Sequence, residues 1–169
     1  MNVLFLDIDG VVNTHMIYKE LPPHLVGKRY LEKDGYIIDI CSPSDKRVSN
    51  LQAVTWLDHI CHKFNLKIVI SSTWRLGHPE ECKQALYDSG LSKDIEIIGV
   101  TPSVGSFHRG TEISIYLANH PEIDNYVIFD DDIGDMDPHD DHVVKIDTYA
   151  GITIAALEKV SYIIDGGKE

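Results

Sequence analysis

Residues 1–13 read Met1-Asn2-Val3-Leu4-Phe5-Leu6-Asp7-Ile8-Asp9-Gly10-Val11-Val12-Asn13, an apolar run that ends in two acids one residue apart. An unbroken apolar run of strand length suits a strand covered on both faces, the kind found inside parallel sheets. Such a strand gains nothing from a carboxylate at its tip. Two nearby anions also repel unless a cation or a proton is shared between them. The pair therefore reads as a functional site at the end of a buried strand.

Further apolar runs of strand length follow at Lys67 to Ile70, Ile95 to Val100, Tyr126 to Phe129 and Val143 to Ile146, with helical patterns between them. Val48, Leu51, Val54, Leu57, Cys61 and Phe64 recur at spacings of three and four, which predicts a helix from about Asp45 to Phe64. A second helix is expected over Glu80 to Ser89 with Gly90 as its stop, and a third over Thr111 to Asn119 before Pro121. A fourth is expected from near Thr153, after Gly151, to about Ile163. The alternation predicts an α/β, Rossmann-like fold: a mostly parallel sheet of about five strands with helices on both faces.

The segment from Asn13 to Ser44 breaks the pattern, because Pro22, Pro23, Gly27, Gly35 and Pro43 punctuate it and only Tyr36 to Ile40 reads as a short strand. It is expected to be a flap or minimal cap, at about 14–44, inserted after the first strand; loops of this length inside compact domains are usually functional. With no repeat and no linker, the 169 residues are expected to form one domain.

The first apolar run is broken by Asp7, so neither a signal peptide nor a membrane span fits. Cys41, Cys61 and Cys82 are odd in number and lack metal-type spacing, which points to reduced thiols and a cytoplasmic protein. The net charge of −12 opposes non-specific attraction to nucleic acid or anionic membrane, yet it is unevenly spread. Between Gly110 and His142 ten acids face no Lys or Arg, whereas Lys19, Lys28, Arg29, Lys33, Lys46 and Arg47 fall in one stretch with five acids. Either these are solvated faces, or the acids hold a metal while the 19–47 segment meets an anionic substrate.

Three apolar runs end in polar residues of a particular kind: Asp7, then Ser71-Ser72-Thr73, then Asp130-Asp131-Asp132. In an open parallel sheet the strand C-termini share one edge, and ligands bind there where the strand order switches. All three motifs are thus expected to converge on one site.

Taken together, Asp7-Ile8-Asp9-Gly10, Ile70-Ser71-Ser72 and Phe129-Asp130-Asp131 resemble the haloacid dehalogenase (HAD) superfamily of phosphohydrolases over roughly Val3 to Ile146. A closer resemblance is to the HAD domain associated with bacterial Swiss army knife RNA-repair proteins. It is carried by Phe5 to Asn13, Ser71-Ser72-Thr73-Trp74-Arg75, Arg109-Gly110-Thr111-Glu112-Ile113 and Asp130-Asp131-Asp132. The resemblance implies Asp7 as nucleophile and a Mg²⁺ ion held by Asp7, the backbone carbonyl of Asp9 and Asp131, with Asp130 acting through a water.

The residue chemistry is compatible with those roles. A carboxylate in line with a phosphorus atom can form an aspartyl-phosphate and divide one displacement into two. Its charge then needs masking, for which a hard divalent ion on oxygen ligands is suited. Asp9 is expected to give a proton to the leaving oxygen and to take one from the attacking water. Ser71, with the backbone amide of Ser72, is expected to bind the phosphoryl group, and Gly10 is placed with the substrate-binding residues. Two arginines compete for the charge-stabilising role that the superfamily usually gives to Lys. Arg109 ranks first, because a cation just before a helix works against the helix dipole and so calls for a reason; Arg75 is expected to meet a second phosphate or the leaving group.

The acids from Asp130 to Asp141 lack the Gly and terminal Glu of a calcium loop, so those beyond the strand are expected to be solvated, with Asp135 fixing a backbone or meeting the metal's water shell. His59 with His62, and His139 with His142, fall short of a zinc pattern. The chain is expected to be a Mg²⁺-dependent phosphomonoesterase. The alternatives are transfer to an acceptor other than water, and an idle module that binds a phosphorylated nucleotide. Nucleotides, sugar phosphates and polynucleotide ends all stay open as substrates. The negative net charge argues against polynucleotide ends unless Lys28, Arg29, Lys33 and Arg47 form a basic track.

Overall fold

The computed structural model of the chain describes residues 1–14, 31–33, 36–38, 51–76, 78–105 and 108–166. Its strands are β1 (Asn2–Leu6), β2 (Leu31–Lys33), β3 (Tyr36–Ile38), β4 (Leu66–Ile70), β5 (Ile97–Val100), β6 (Asn125–Asp130) and β7 (Val143–Lys145). Its helices are α1 (Leu51–Phe64), α2 (Pro79–Asp88), α3 (Arg109–Asn119) and α4 (Ile154–Ile164). Five strands form one sheet in the order β5-β4-β1-β6-β7, and every pairing in it is parallel. The expected α/β, Rossmann-like architecture is therefore present, with the sheet wholly rather than mostly parallel.

Strand alternation explains how helices cover both faces. Leu4, Leu6, Ile68, Ile70, Val127 and Phe129 point into a core shared with α1, α2 and α4. Val3, Phe5, Val69 and Ile128 point the other way, onto Ile113 and Tyr116 of α3. Phe5 meets Tyr116 and Tyr126 edge-on, with ring centroids 5.7 and 5.9 Å apart, and this fixes α3 against the sheet.

The register then sets the site. Leu6 pairs with Ile70 on one side and Phe129 on the other, so Asp7, Ser71 and Asp130 follow at one level on the C-terminal edge. The chain leaves β1 toward β4 and β5, then returns to add β6 and β7 on the far side, which makes the ends of β1 and its neighbours the switch point.

The expected first helix is described from Leu51; its proposed start near Asp45 lies outside the described residues. Most of the expected flap at 14–44 does too, as do Lys19, Lys28, Arg29, Cys41, Lys46 and Arg47. Within it, β3 pairs antiparallel with β2, a strand that the sequence reading did not pick out. Leu31–Lys33 is three residues of mixed character, too short for a period to register.

Cys61 and Cys82 are buried thiols, and burial pushes the Cys61 thiol well up. His62 is exposed and bridges Asp58 and Asp94 on the surface. Among the described residues no helix is long and apolar enough to cross a membrane.

Candidate active site

Asp7 follows β1 directly, and its amide donates to the carbonyl of Phe129 at 2.9 Å, so the strand ladder holds its backbone. Its side chain is buried beside two other carboxylates: Asp7, Asp130 and Asp131 each offer an oxygen within 4.8 Å of the others. Among the described residues this is the only group of three or more potential metal-ligating side chains.

Arg109 reaches into the cluster from the first residue of α3. Its Nη1 donates to Asp7 Oδ1 at 3.3 Å, and its Nε lies 3.5 Å from Asp130 Oδ2. The sequence reading put Arg109 just before the helix, where a cation is costly; the structure puts it inside the first turn and shows what offsets the cost. The Asp135 carboxylate accepts from the Arg109 amide at 2.9 Å, and the Asp135 carbonyl accepts from Gly110 N at 2.9 Å. Asp135 thus fixes a backbone, one of the two roles expected for it. Gly110 is required there, since a Cβ would fall 2.3 Å from the carbonyl oxygen of Asp137.

His139 locks the same corner. Its Nε2 lies 3.1 Å from the Gly110 carbonyl and 2.8 Å from Ser114 Oγ, while Nδ1 lies 2.7 Å from the Tyr126 hydroxyl. Burial lowers its affinity for a proton, and a neutral ring with the proton on Nε2 satisfies these contacts.

The electrostatics follow from burial and crowding. Burial raises the Asp7 carboxyl above its ordinary value, against the pull of Arg109 and a hydrogen bond from the Ser72 side chain. Burial, and then Asp7, push Asp130 up to about 7. Three acids against one arginine leave a surplus of negative charge on hard oxygen donors, which fits a divalent ion such as Mg²⁺.

The sign of the pH effect is fixed. A carboxyl raised from 3.8 to about 7 on folding holds its proton where the unfolded chain has lost it. Without metal, its contribution to stability therefore declines as pH rises from about 4 to about 7 and is flat above. Melting temperatures followed against pH in a chelator are expected to show this decline, and Mg²⁺ or Asp130→Asn to flatten it. A slope equal in all three conditions would count against the cluster.

Gly10 has φ +76, and a Cβ there would lie 2.2 Å from Asp131 Oδ2. It leaves room for the Asp131 carboxylate. Gly10→Ala is expected to cost about 1–2 kcal/mol from the left-handed backbone alone. It is also expected to weaken Mg²⁺ binding, measurable by calorimetric titration.

Asp9 is exposed, unlike its partner. Trp74 Nε1 donates to its Oδ2 and Asn13 Nδ2 to its Oδ1, each at 2.8 Å. Neither donor was anticipated from sequence, although Trp74 follows the serine motif by two residues.

The two serines divide differently from expectation. Ser71 is fully buried, its amide donates to the Leu6 carbonyl at 2.8 Å, and its hydroxyl accepts from Thr101 Oγ1 at 3.4 Å. Ser72 is the one whose side chain bonds Asp7. Arg75 is already engaged within the protein. It is buried and spends its guanidinium on the protein itself: Nε on the Thr101 carbonyl at 2.8 Å, Nη1 on the Ser72 carbonyl at 2.6 Å, and Nη2 on Glu112 at 2.6 Å. A phosphate would have to displace a buried ion pair to reach it, so its place is that of a clamp between the serine turn, β5 and α3.

The family model for the HAD domain in Swiss Army Knife RNA repair proteins matches residues 3–157. No curated protein matches the chain.

Proposed function

From the premise that the chain belongs to the family of HAD domains in Swiss Army Knife RNA repair proteins, a phosphohydrolase-type domain, we propose that it is a Mg²⁺-dependent phosphomonoesterase with Asp7 as nucleophile. The observation that carries this reading is the contact of Arg109 with both Asp7 and Asp130 at the switch point of the sheet.

Asp7, Asp130 and Asp131 would hold Mg²⁺, and the family resemblance adds the backbone carbonyl of Asp9. When bound, Mg²⁺ offsets the charge of the carboxylates and of the substrate's phosphoryl oxygens, so that an anionic nucleophile can approach an anionic ester. Asp7 attacks phosphorus from a fixed position, because the strand ladder holds its backbone and Arg109 and Ser72 hold its carboxylate. Arg109 stabilises the charge spread over the transferring oxygens. Asp9 gives its proton to the leaving oxygen as the bond from phosphorus to that oxygen breaks; Trp74 and Asn13 orient the resulting carboxylate, which takes a proton from the water that attacks the aspartyl-phosphate at phosphorus and frees Asp7 and inorganic phosphate.

The substrate class we assign is a phosphorylated nucleotide or polynucleotide end, which the family's description favours. Phosphate release with Mg²⁺ from end-phosphorylated oligonucleotides, mononucleotides and sugar phosphates tests the reading. Turnover of at least one class, lost in chelator, is expected; nucleotide binding with no release from any class would replace the enzyme by a binding module.

A further inference from the structure

Beside the carboxylate cluster lies a cavity of about 250 Å³, between the turn that follows β4 and the start of α3. Arg109 lines this cavity and also reaches Asp7, so a phosphoryl group against Asp7 and the group esterified to it would lie on either side of one residue. The two arginines and two carboxylates on the lining are already engaged. Arg75 is paired with Glu112, Arg109 faces Asp7 and Asp130, and the Asp135 carboxylate holds the Arg109 amide. Both arginines are thus committed, and the His108 ring adds a nitrogen donor or acceptor suited to a hydroxyl. The lining suits a neutral group rich in hydroxyls: Thr73 and Ser103 supply hydroxyls, Glu112 and Asp135 acceptor oxygens, and Leu76 an apolar surface. The volume falls short of the ~300–1,000 Å³ typical of pockets for drug-sized ligands, so one ring fits better than a run of nucleotides.

We propose that this cavity binds the sugar ring that carries the phosphate, and so selects phosphorylated sugars, free or at the end of a nucleotide chain. This rests on the phosphomonoesterase reading above. The test measures kcat/KM for phosphate release with Mg²⁺ from ethyl phosphate, an alkyl monoester with no sugar, and from ribose 5-phosphate, a nucleoside 5′-monophosphate and oligonucleotides phosphorylated at the 5′ or the 3′ end. Wild type is compared with Ser103→Phe and with Leu76→Trp, the second at a side chain that is 51% exposed and so tolerant of change.

Wild type is expected to favour at least one sugar-bearing substrate over ethyl phosphate by ~10-fold or more, and the filled cavities to cut that ratio by ~10-fold. Taking a ratio cancels any loss of folded protein, and the arm that carries the preference identifies the source of the ring. A ratio unchanged within about twofold in both variants, or no preference in wild type, overturns the assignment of the cavity and leaves the esterase reading standing. Release from none of these substrates overturns the esterase reading and the cavity's role with it.

Discussion

Asp7→Asn is expected to lower kcat by on the order of 10⁴-fold or more while leaving the fold intact, the pattern of a lost nucleophile. The amide keeps the shape of the carboxylate but cannot attack phosphorus. Because Asp7 is buried and its charge is disfavoured by burial and by Asp131, the substitution is also expected to raise the melting temperature in chelator. Loss of turnover together with gain of metal-free stability separates a functional charge from a structural one. Phosphate release undiminished in Asp7→Asn would rule out the mechanism.

Arg109→Leu is expected to reduce kcat/KM by about 10²- to 10³-fold, the usual effect of removing one charge-stabilising donor. Two buried carboxylates lose their cation, so the metal-free protein should also melt earlier, in contrast to Asp7→Asn. Arg109→Lys keeps the charge but not the planar fork, and is expected to recover most of the stability and about a tenth of the activity. Arg75→Met provides the contrast. It strands Glu112 in the interior, so it is expected to cost about 3–5 kcal/mol of stability, read by denaturant unfolding, with activity lost only in proportion to the protein unfolded. Equal catalytic losses in properly folded Arg75→Met and Arg109→Leu would mean that the two arginines share the role assigned to one.

What the sequence made legible was local. Val3 to Leu6 and Tyr126 to Phe129 announce buried strands because an unbroken apolar run of that length has few other uses, and their acidic ends place Asp7 and Asp130 on a common edge. Helix ends at Gly90 and Pro121 were readable for the same reason, since the signal sits within a few residues of the feature. The partners of Arg75 were not legible, because they are Glu112, 37 residues away, and the carbonyl of Thr101, neither of which a window around it contains. The division between Ser71 and Ser72 turned on where the pleat of β4 ends. A shift of one residue there exchanges the hydroxyl that faces β5 for the one that bonds Asp7. The Asp9 contacts with Trp74 and Asn13 belong to the same class: both donors were present in quoted motifs, but only the fold brings the turn after β4 onto the loop after β1.

Phosphoryl transfer to Asp7 itself is tested most directly by rapid acid quench of the Mg²⁺-loaded protein with a ³²P-labelled substrate, followed by peptide mapping. Label that stays on the protein, is released by hydroxylamine as an acyl phosphate would be, maps to the peptide containing Asp7 and is absent from Asp7→Asn is the predicted result. Label on another residue, or product phosphate formed in the first turnover with no bound label at any quench time, would contradict it.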